Sequence, residues 1–351
     1  MKIRLFLLMC LLAISGAALL AQEESSCAEE IDCETSESSY SNIEFSEPNV
    51  SPLIPNQDLM HDRWYMRVNG RMEVFDAPNG NLVRVQDAGF NFVTALNQEN
   101  GWTRINLNEW VRSDILETVN WQVSSFTGVE LPEEGLEHTM AWALVNMYPS
   151  PEPGAGPSAR FDLIFRYTRM SIYATDVVDG IKWYLVGPDQ WVHQHRVALF
   201  LPLAEVPESV TTERWVGIDL YEQVITAYEG STPVFTTLTS TGLPRWPTYE
   251  GTFNIYFRKF RDDMTWGTVG DDFYYLEEVP WTMFFDEGRA LHGAFWHDGF
   301  GYRRSHGCVN MTITDAYWMY HWVAASMGSQ RSADVEVGPA VHVYASGEYD
   351  T

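Results

Sequence analysis

From about residue 62 onward, apolar positions recur every second residue in short runs, each broken by Gly, Pro, Asn or Asp. That rhythm predicts strands joined by tight turns. "WVGIDLYEQVITAYEG", from Trp215, alternates in this way and turns at Glu229-Gly230. "PVFTTLTSTGLPRWPTYEGTFNIYF" places strand-forming residues on both sides of a Gly/Pro-rich loop, and "AVHVYA" reads as a closing strand. One stretch has the helical period instead: "TITDAYWMYHWVAASMG". There Thr312 or Thr314 can cap a helix whose apolar face holds Ala316, Met319, Tyr320 and Val323, with Gly328 as its stop. The expected class is mainly β, with one or two helices.

Aligning the tryptophans exposes an internal repeat. "NGWTRINLNEWV" carries Trp102 and Trp110-Val111; "GIKWYLVGPDQWV" carries Trp183 and Trp191-Val192, the same step at an offset of 81. That offset is too long for a solenoid, so two copies of a small domain are expected. Each tryptophan pair sits among short alternating runs broken by turn signals, Asn100-Gly101 in the first copy and Asp179-Gly180 in the second. Both copies resemble bacterial SH3-like β-barrel modules, spanning 61–120 and 136–203. In such modules the resemblance implies either cell-wall ligand binding or a platform for the next domain. No binding motif is visible in either copy, which favours the platform.

The amino terminus departs from this pattern. "MKIRLFLLMCLLAISGAALLAQ" has Lys2 and Arg4, an apolar stretch and then small residues, the three-part form of a secretory signal peptide over 1–21. Its apolar stretch of about 17 residues is short for a retained span. Residues 22–60 read as an acidic disordered linker; "EESSCAEEIDCETSESSYSNIEFSEPNV" lacks any Lys or Arg. The formal charge of −26 argues against nucleic acid or an anionic membrane as partner. Export gives the cysteines their meaning. Cys10 leaves with the signal, Cys27 and Cys33 are close enough to form a disulfide, and Cys308 is then the odd thiol.

Cys308 lies in "HGAFWHDGFGYRRSHGCVN", residues 292–310, a polar, turn-like setting for a thiol. His292-Gly293, followed after a gap by Ser305-His306-Gly307-Cys308-Val309-Asn310, resembles the L,D-transpeptidase (YkuD-like) catalytic domain. The likeness runs from Trp215 to Ala345, includes Ser240-Thr241-Gly242 and the helix after the cysteine, and places a catalytic β-sandwich at 212–347. The family often has Thr-Pro-x-Gly-x-Phe where this chain reads Thr248-Tyr249-Glu250-Gly251-Thr252-Phe253.

The chemistry of these residue types supports the same reading. Acyl transfer from an amide needs an ionised nucleophile, and a free thiol near neutral pH is mostly protonated. An adjacent imidazole takes that proton and returns it to the leaving amine. His306 is two residues from Cys308, and in an extended chain its ring runs parallel to the thiol; His292 arrives from another strand and can approach head-on. The resemblance also assigns the general acid/base role to the upstream histidine, so His292 is expected to act and His306 to orient. Gly307 lets the backbone turn, so that its amide and that of Cys308 can form an oxyanion hole. Ser305 can tie down the loop, and Asn310 can hold the loop or a substrate carbonyl. Gly293, Arg303 and Arg304 complete the expected substrate-binding set. The two arginines are expected to favour the thiolate and to bind a stem-peptide carboxylate. His297 and His321 read as surface or helix residues.

A zinc site built from His292, His297, His306 and Cys308 is the rival for these residues, but only His292 and His297 loosely fit a ligand spacing. No cofactor or metal is expected. The resemblance implies an extracytoplasmic enzyme acting on peptidoglycan stem peptides. It would release D-Ala from a tetrapeptide and pass the acyl group to an amine, making a 3→3 cross-link or similar. An L,D-carboxypeptidase using the same acyl-enzyme and a non-catalytic wall-binding protein are the alternatives.

Overall fold

A computed structural model describes residue 40 and residues 43–119, 122–327 and 338–348. The signal segment, the Cys27–Cys33 pairing and the Gly328 stop lie outside the described residues. The described residues form a mainly β structure with two α-helices, Gln57–Met60 and Ile313–Met327. Several small antiparallel sheets precede a larger β domain.

Two large sheets enclose the main core. In one, strand Arg214–Asp219 pairs with Val224–Glu229 on one side and, in parallel, with Ala340–Tyr344 on the other. The second centres on the long strand Tyr274–Asp286, which pairs with Phe257–Trp266 and Arg289–Gly293. Strand Val309–Met311 then adds in parallel to Arg289–Gly293. Val216, Ile225 and Val341 from the first sheet meet Met283, Leu291, Val309 and Met311 from the second in one buried cluster. The helix supplies Ala316, Met319 and Val323 to it. The periodic positions of the helical stretch are therefore the ones that bury. Of the two candidate caps, Thr312 performs the role: its Oγ1 accepts from the Asp315 N–H at 3.2 Å. Thr314 Oγ1 instead accepts from the Asn56 N–H at 3.1 Å.

Both predicted hairpins form. Asn97–Glu99 pairs with Trp102–Asn106 across Asn100-Gly101, and Ala174–Val178 with Ile181–Gly187 across Asp179-Gly180; the second strand of each then forms a further hairpin, with Glu109–Arg112 or Gln190–His193. Asn100 and Asp179 both adopt positive φ, as do Gly101 and Gly180, the backbone that two-residue hairpin turns demand. Each hairpin is followed by a 3-10 turn, Ser113–Ile115 or Gln194–Arg196, and then a short strand.

Two expectations about organisation are corrected. The linker does not run to residue 60. Ser51–Pro52 pairs with Val129–Glu130, Asn56 caps the Gln57–Met60 helix, and Met60 is buried. The local composition is acidic, but these residues gain strand partners and apolar neighbours from distant parts of the chain. Nor is the first repeat copy a closed module. Its strand Phe90–Ala95 pairs in parallel with the long strand (Tyr274↔Phe90, Leu276↔Phe92), and Trp64–Val68 and Leu116–Thr118 extend the same sheet. An open strand edge exposes unpaired amides and carbonyls, and pairing across the seam satisfies them.

Candidate active site

Strand alternation sorts the motif residues onto two faces. Leu291, Val309 and Met311 point into the main core. His292 is the register partner of Asn310, and Cys308 precedes Asn310 by two residues, so these three side chains share the opposite face. That face forms one wall of a cavity of about 550 Å³. Phe90 and Arg67 from the first repeat copy and Tyr274 and Leu276 from the long strand form the other walls.

Cys308 is half-buried and unbridged. Burial pushes its thiol up, while the Ala290 amide and the Arg289 guanidinium pull it back down. Arg289 is a residue that sequence reasoning missed. It is held by Asp286 at 3.0 Å and by the Pro247 carbonyl at 3.3 Å, and its guanidinium lies 4.2 Å from the Tyr249 ring centroid. No motif marked it, because it approaches the thiol from the neighbouring strand.

His292 is buried, and its Nδ1 lies 3.1 Å from the Gly293 carbonyl. With Nδ1 donating to that oxygen, the ring's other nitrogen is the basic one. Burial lowers its pKa to about 4, against the opposing effect of the Gly293 carbonyl. Desolvation thus favours a neutral thiol and a neutral imidazole in the resting site.

Ser305 ties the loop as expected: its Oγ donates to the Cys308 carbonyl and accepts from the Gly307 N–H at 3.1 Å. The second contact corrects the role given to Gly307, whose amide is occupied within the loop. Gly307 has φ +108°, and a Cβ there would lie 2.8 Å from Arg289 Nε, so the position needs glycine for its shape. Thr248 anchors the same turn, accepting from the Gly242 N–H at 3.0 Å and donating to the Gly307 carbonyl at 2.8 Å. Gly293 is likewise corrected. It does not line the cavity; a Cβ there would meet Pro280 at 3.1 Å and Ile313 at 3.2 Å, so the glycine permits close packing.

His306 lies among aromatic rings, 4.0 Å from the Trp246 centroid and 5.1 Å from that of Tyr274. Its Nε2 is buried without a hydrogen-bond partner. Arg303 and Arg304 both line the cavity. The guanidinium felt by the thiol is nevertheless that of Arg289, and Arg304 acts on His297. His297 is itself a correction: it is buried at the cavity wall rather than exposed. Its Nδ1 accepts from the Gly299 N–H at 3.0 Å and its Nε2 lies 3.1 Å from Asn310 Nδ2. His321 is exposed on the helix.

Residues 213–343 match the family model described as the L,D-transpeptidase catalytic domain, YkuD. This segment is therefore an L,D-transpeptidase-type catalytic domain. Among solved structures, the chain is similar to an L,D-transpeptidase from Mycobacterium smegmatis, at 22% identity and a TM-score of 0.33, covering 47% of this chain and 67% of that one. It is also similar to one from Stackebrandtia nassauensis (21%, TM-score 0.28, 39% and 58%). A third likeness is to one from Enterococcus faecium (23%, TM-score 0.31, 38% and 50%). The chain spans about half to two thirds of the length of these relatives. Comparison with curated proteins gives no match.

Proposed function

We propose that the protein is an exported peptidoglycan L,D-transpeptidase in which Cys308 is the nucleophile and His292 the general acid/base. One observation carries the reading: the register of Arg289–Gly293 on Val309–Met311 puts His292, Cys308 and Asn310 on one cavity-facing side of a sheet whose other face is core. The Cys308 thiol loses its proton to His292 as sulfur adds to the carbonyl of the stem tetrapeptide, and the imidazolium returns that proton to the departing D-Ala amine. An amine acceptor then attacks the thioester carbonyl, forming the cross-link and releasing the thiol. Because both groups rest neutral, proton transfer accompanies attack instead of preceding it. Arg303 and Arg304 on the cavity wall suit a carboxylate of the donor stem. The two hairpin copies are SH3-like modules in this reading, supported by their shared order of hairpin, 3-10 turn and strand. A cell-wall substrate places the protein outside the cytoplasm. Among the described residues no helix is long and apolar enough to cross a membrane.

The test is intact-mass spectrometry of the full protein after incubation with tetrapeptide muropeptides. The wild type is expected to gain the mass of the stem less D-Ala and to form dimers when an amine acceptor is present. Cys308→Ala is expected to form neither, and His292→Ala to lose about 10² or more in turnover. Turnover by a folded Cys308→Ala protein removes the cysteine mechanism. Release of D-Ala without dimers, whatever amine is supplied, makes the enzyme a carboxypeptidase.

A further inference from the structure

The cavity beside Cys308 reverses the charge of the chain around it. Acidic residues outnumber basic ones by 48 to 22. Yet this cavity is lined by Arg67, Arg303 and Arg304, and among the described residues no Asp or Glu joins them. Cations line other cavities too, but there carboxylates balance them. The cavity at Trp246 sets Arg245 against Asp271 and Asp272, with Arg245 paired to Asp271 at 2.8 Å. At Phe260, Arg63 is held by Glu278 at 2.8 Å, Lys259 by Asp262 at 2.6 Å and Arg261 by Asp62. Among the described residues Arg67 and Arg304 enter no ion pair, so their charge is left for a ligand.

Strand alternation brings Arg67 to this wall. Along Trp64–Val68, Met66 and Val68 face the core of the first copy, so Tyr65 and Arg67 share the opposite face. Tyr65 stacks on Phe295 with ring centroids 3.7 Å apart. Arg67 is the register partner of Phe92, which lies in the same buried cluster as Tyr65 and Phe295. The packed seam thus ends at Arg67, which is exposed at the cavity wall. Its other register partner, Glu117, makes no ion pair with it.

We propose that Arg67 is a specificity-determining residue, the first copy's contribution to a cationic cavity that selects carboxylate-bearing ligands for Cys308. This rests on Cys308 being the reactive thiol of the function proposed above, but not on the identity of the stem peptide. A guanidinium without a protein partner can take a carboxylate through two parallel N–H donors. The net charge of −26 repels anions from the molecule as a whole. The local reversal is what admits one. Arg303 and Arg304 lie on the motif loop, so Arg67 adds a cationic position from a different part of the chain.

Two alkylating reagents read this field without any peptidoglycan. Iodoacetate and iodoacetamide each lose iodide to the Cys308 sulfur at a saturated carbon, and they differ in carrying a carboxylate or a neutral amide. The ratio of their rates cancels changes in the thiol itself. In the full-length wild type, followed by the mass of the peptide containing Cys308, that ratio is expected to exceed the ratio for glutathione. It is expected to fall toward the glutathione value at about 1 M salt, where charges are screened beyond about 3 Å. Arg67→Gln is expected to lower the ratio by about threefold to tenfold, Arg67→Glu to lower it further, and Arg67→Lys to keep most of it. Arg71→Gln removes the same charge from an exposed pair with Glu73 and is expected to leave the ratio unchanged. With a tetrapeptide donor, Arg67→Gln is expected to raise KM by about threefold or more and to change kcat less. A wild-type ratio no higher than that of glutathione, equal ratios in Arg67→Gln and Arg71→Gln, or an unchanged KM would overturn the proposal. If muropeptides fail to acylate a wild-type protein that shows the anion preference, the selectivity stands and the peptidoglycan substrate alone falls.

Discussion

In the first copy of the hairpin repeat Trp102 is buried and Trp110 half-buried; in the second, Trp183 is half-buried and Trp191 buried. The two hairpins have equivalent registers, Trp102↔Arg112 with Arg104↔Trp110 and Trp183↔His193 with Leu185↔Trp191, so both tryptophans of each copy lie on one face. What differs is the covering. Phe75 packs edge-on against Trp102 with ring centroids 5.3 Å apart. In the second copy the backbone of Trp191 is bridged to Ser150. The copies also meet the catalytic domain differently. The first lends strands to its sheet, and Phe90 and Arg67 become cavity walls. The second keeps its own three-stranded sheets and docks through side chains, with Trp142 and Phe200 in a cluster with Ala294 and Phe300. A repeated sequence fixes the local hairpin, and its surroundings decide which residue is core and whether the copy takes part in the site.

Cutting the seam of the first copy is expected to have the largest effect. Phe92 is buried at the pairing with Leu276 and packs against Phe295 at 5.8 Å. Phe92→Ala is expected to cost about 3–5 kcal/mol in urea unfolding. It is also expected to slow acylation of Cys308 in the protein that remains folded, because it loosens a cavity wall. Equal acylation by the folded variant would mean that the first copy is only a platform, like the second.

The tryptophan reversal gives a smaller, paired test. Trp102→Ala is expected to cost about 3 kcal/mol or more and Trp183→Ala distinctly less. The order is expected to invert at the next position, with Trp191→Ala worse than Trp110→Ala. Equivalent losses at equivalent positions would mean that the copies are interchangeable in burial as well as in spacing.

The smallest effect concerns charge at the seam. Glu277 is buried between the sheet strands, accepts from the Thr94 N–H at 2.6 Å, and is pushed up to about 8 by desolvation. Its folded pKa lies above the unfolded value near 4.5. The folded form therefore holds the proton more tightly, and this group's contribution to stability is lost as pH rises from about 4.5 to 8. Glu277→Gln keeps an acceptor for Thr94 and removes the titration. Its melting temperature is expected to match the wild type near pH 4 and exceed it by a few degrees at pH 9, about 2–4 °C per kcal/mol for a protein of this size. A parallel pH profile in the two proteins would show that the seam tolerates the charge.

What the residues determined by themselves was local. Asn100-Gly101 and Asp179-Gly180 set two hairpin turns, because Asn, Asp and Gly tolerate positive φ. Thr312 capped the helix through a hydroxyl three residues from the amide it satisfies, and Ser305 closed its loop over the same distance. The motif also disclosed His292 and Cys308 as candidates, since thiol and imidazole are the groups this chemistry needs. The tertiary structure decided everything that depends on a partner far along the chain. Residues 43–60 are ordered by strands and helices they could not form alone, and the Gly128 amide is satisfied by Asp315 at 2.9 Å. Arg289 came to the thiol because two strands pair in register, and His297 became a buried neighbour of Asn310 because its loop folds over the cavity. Gly293 and Gly307 look alike as flexible motif glycines, yet one packs against Pro280 and the other bends beneath Arg289. Turn and capping preferences act within about four residues, whereas desolvation and strand-edge pairing act on whichever groups the fold brings together.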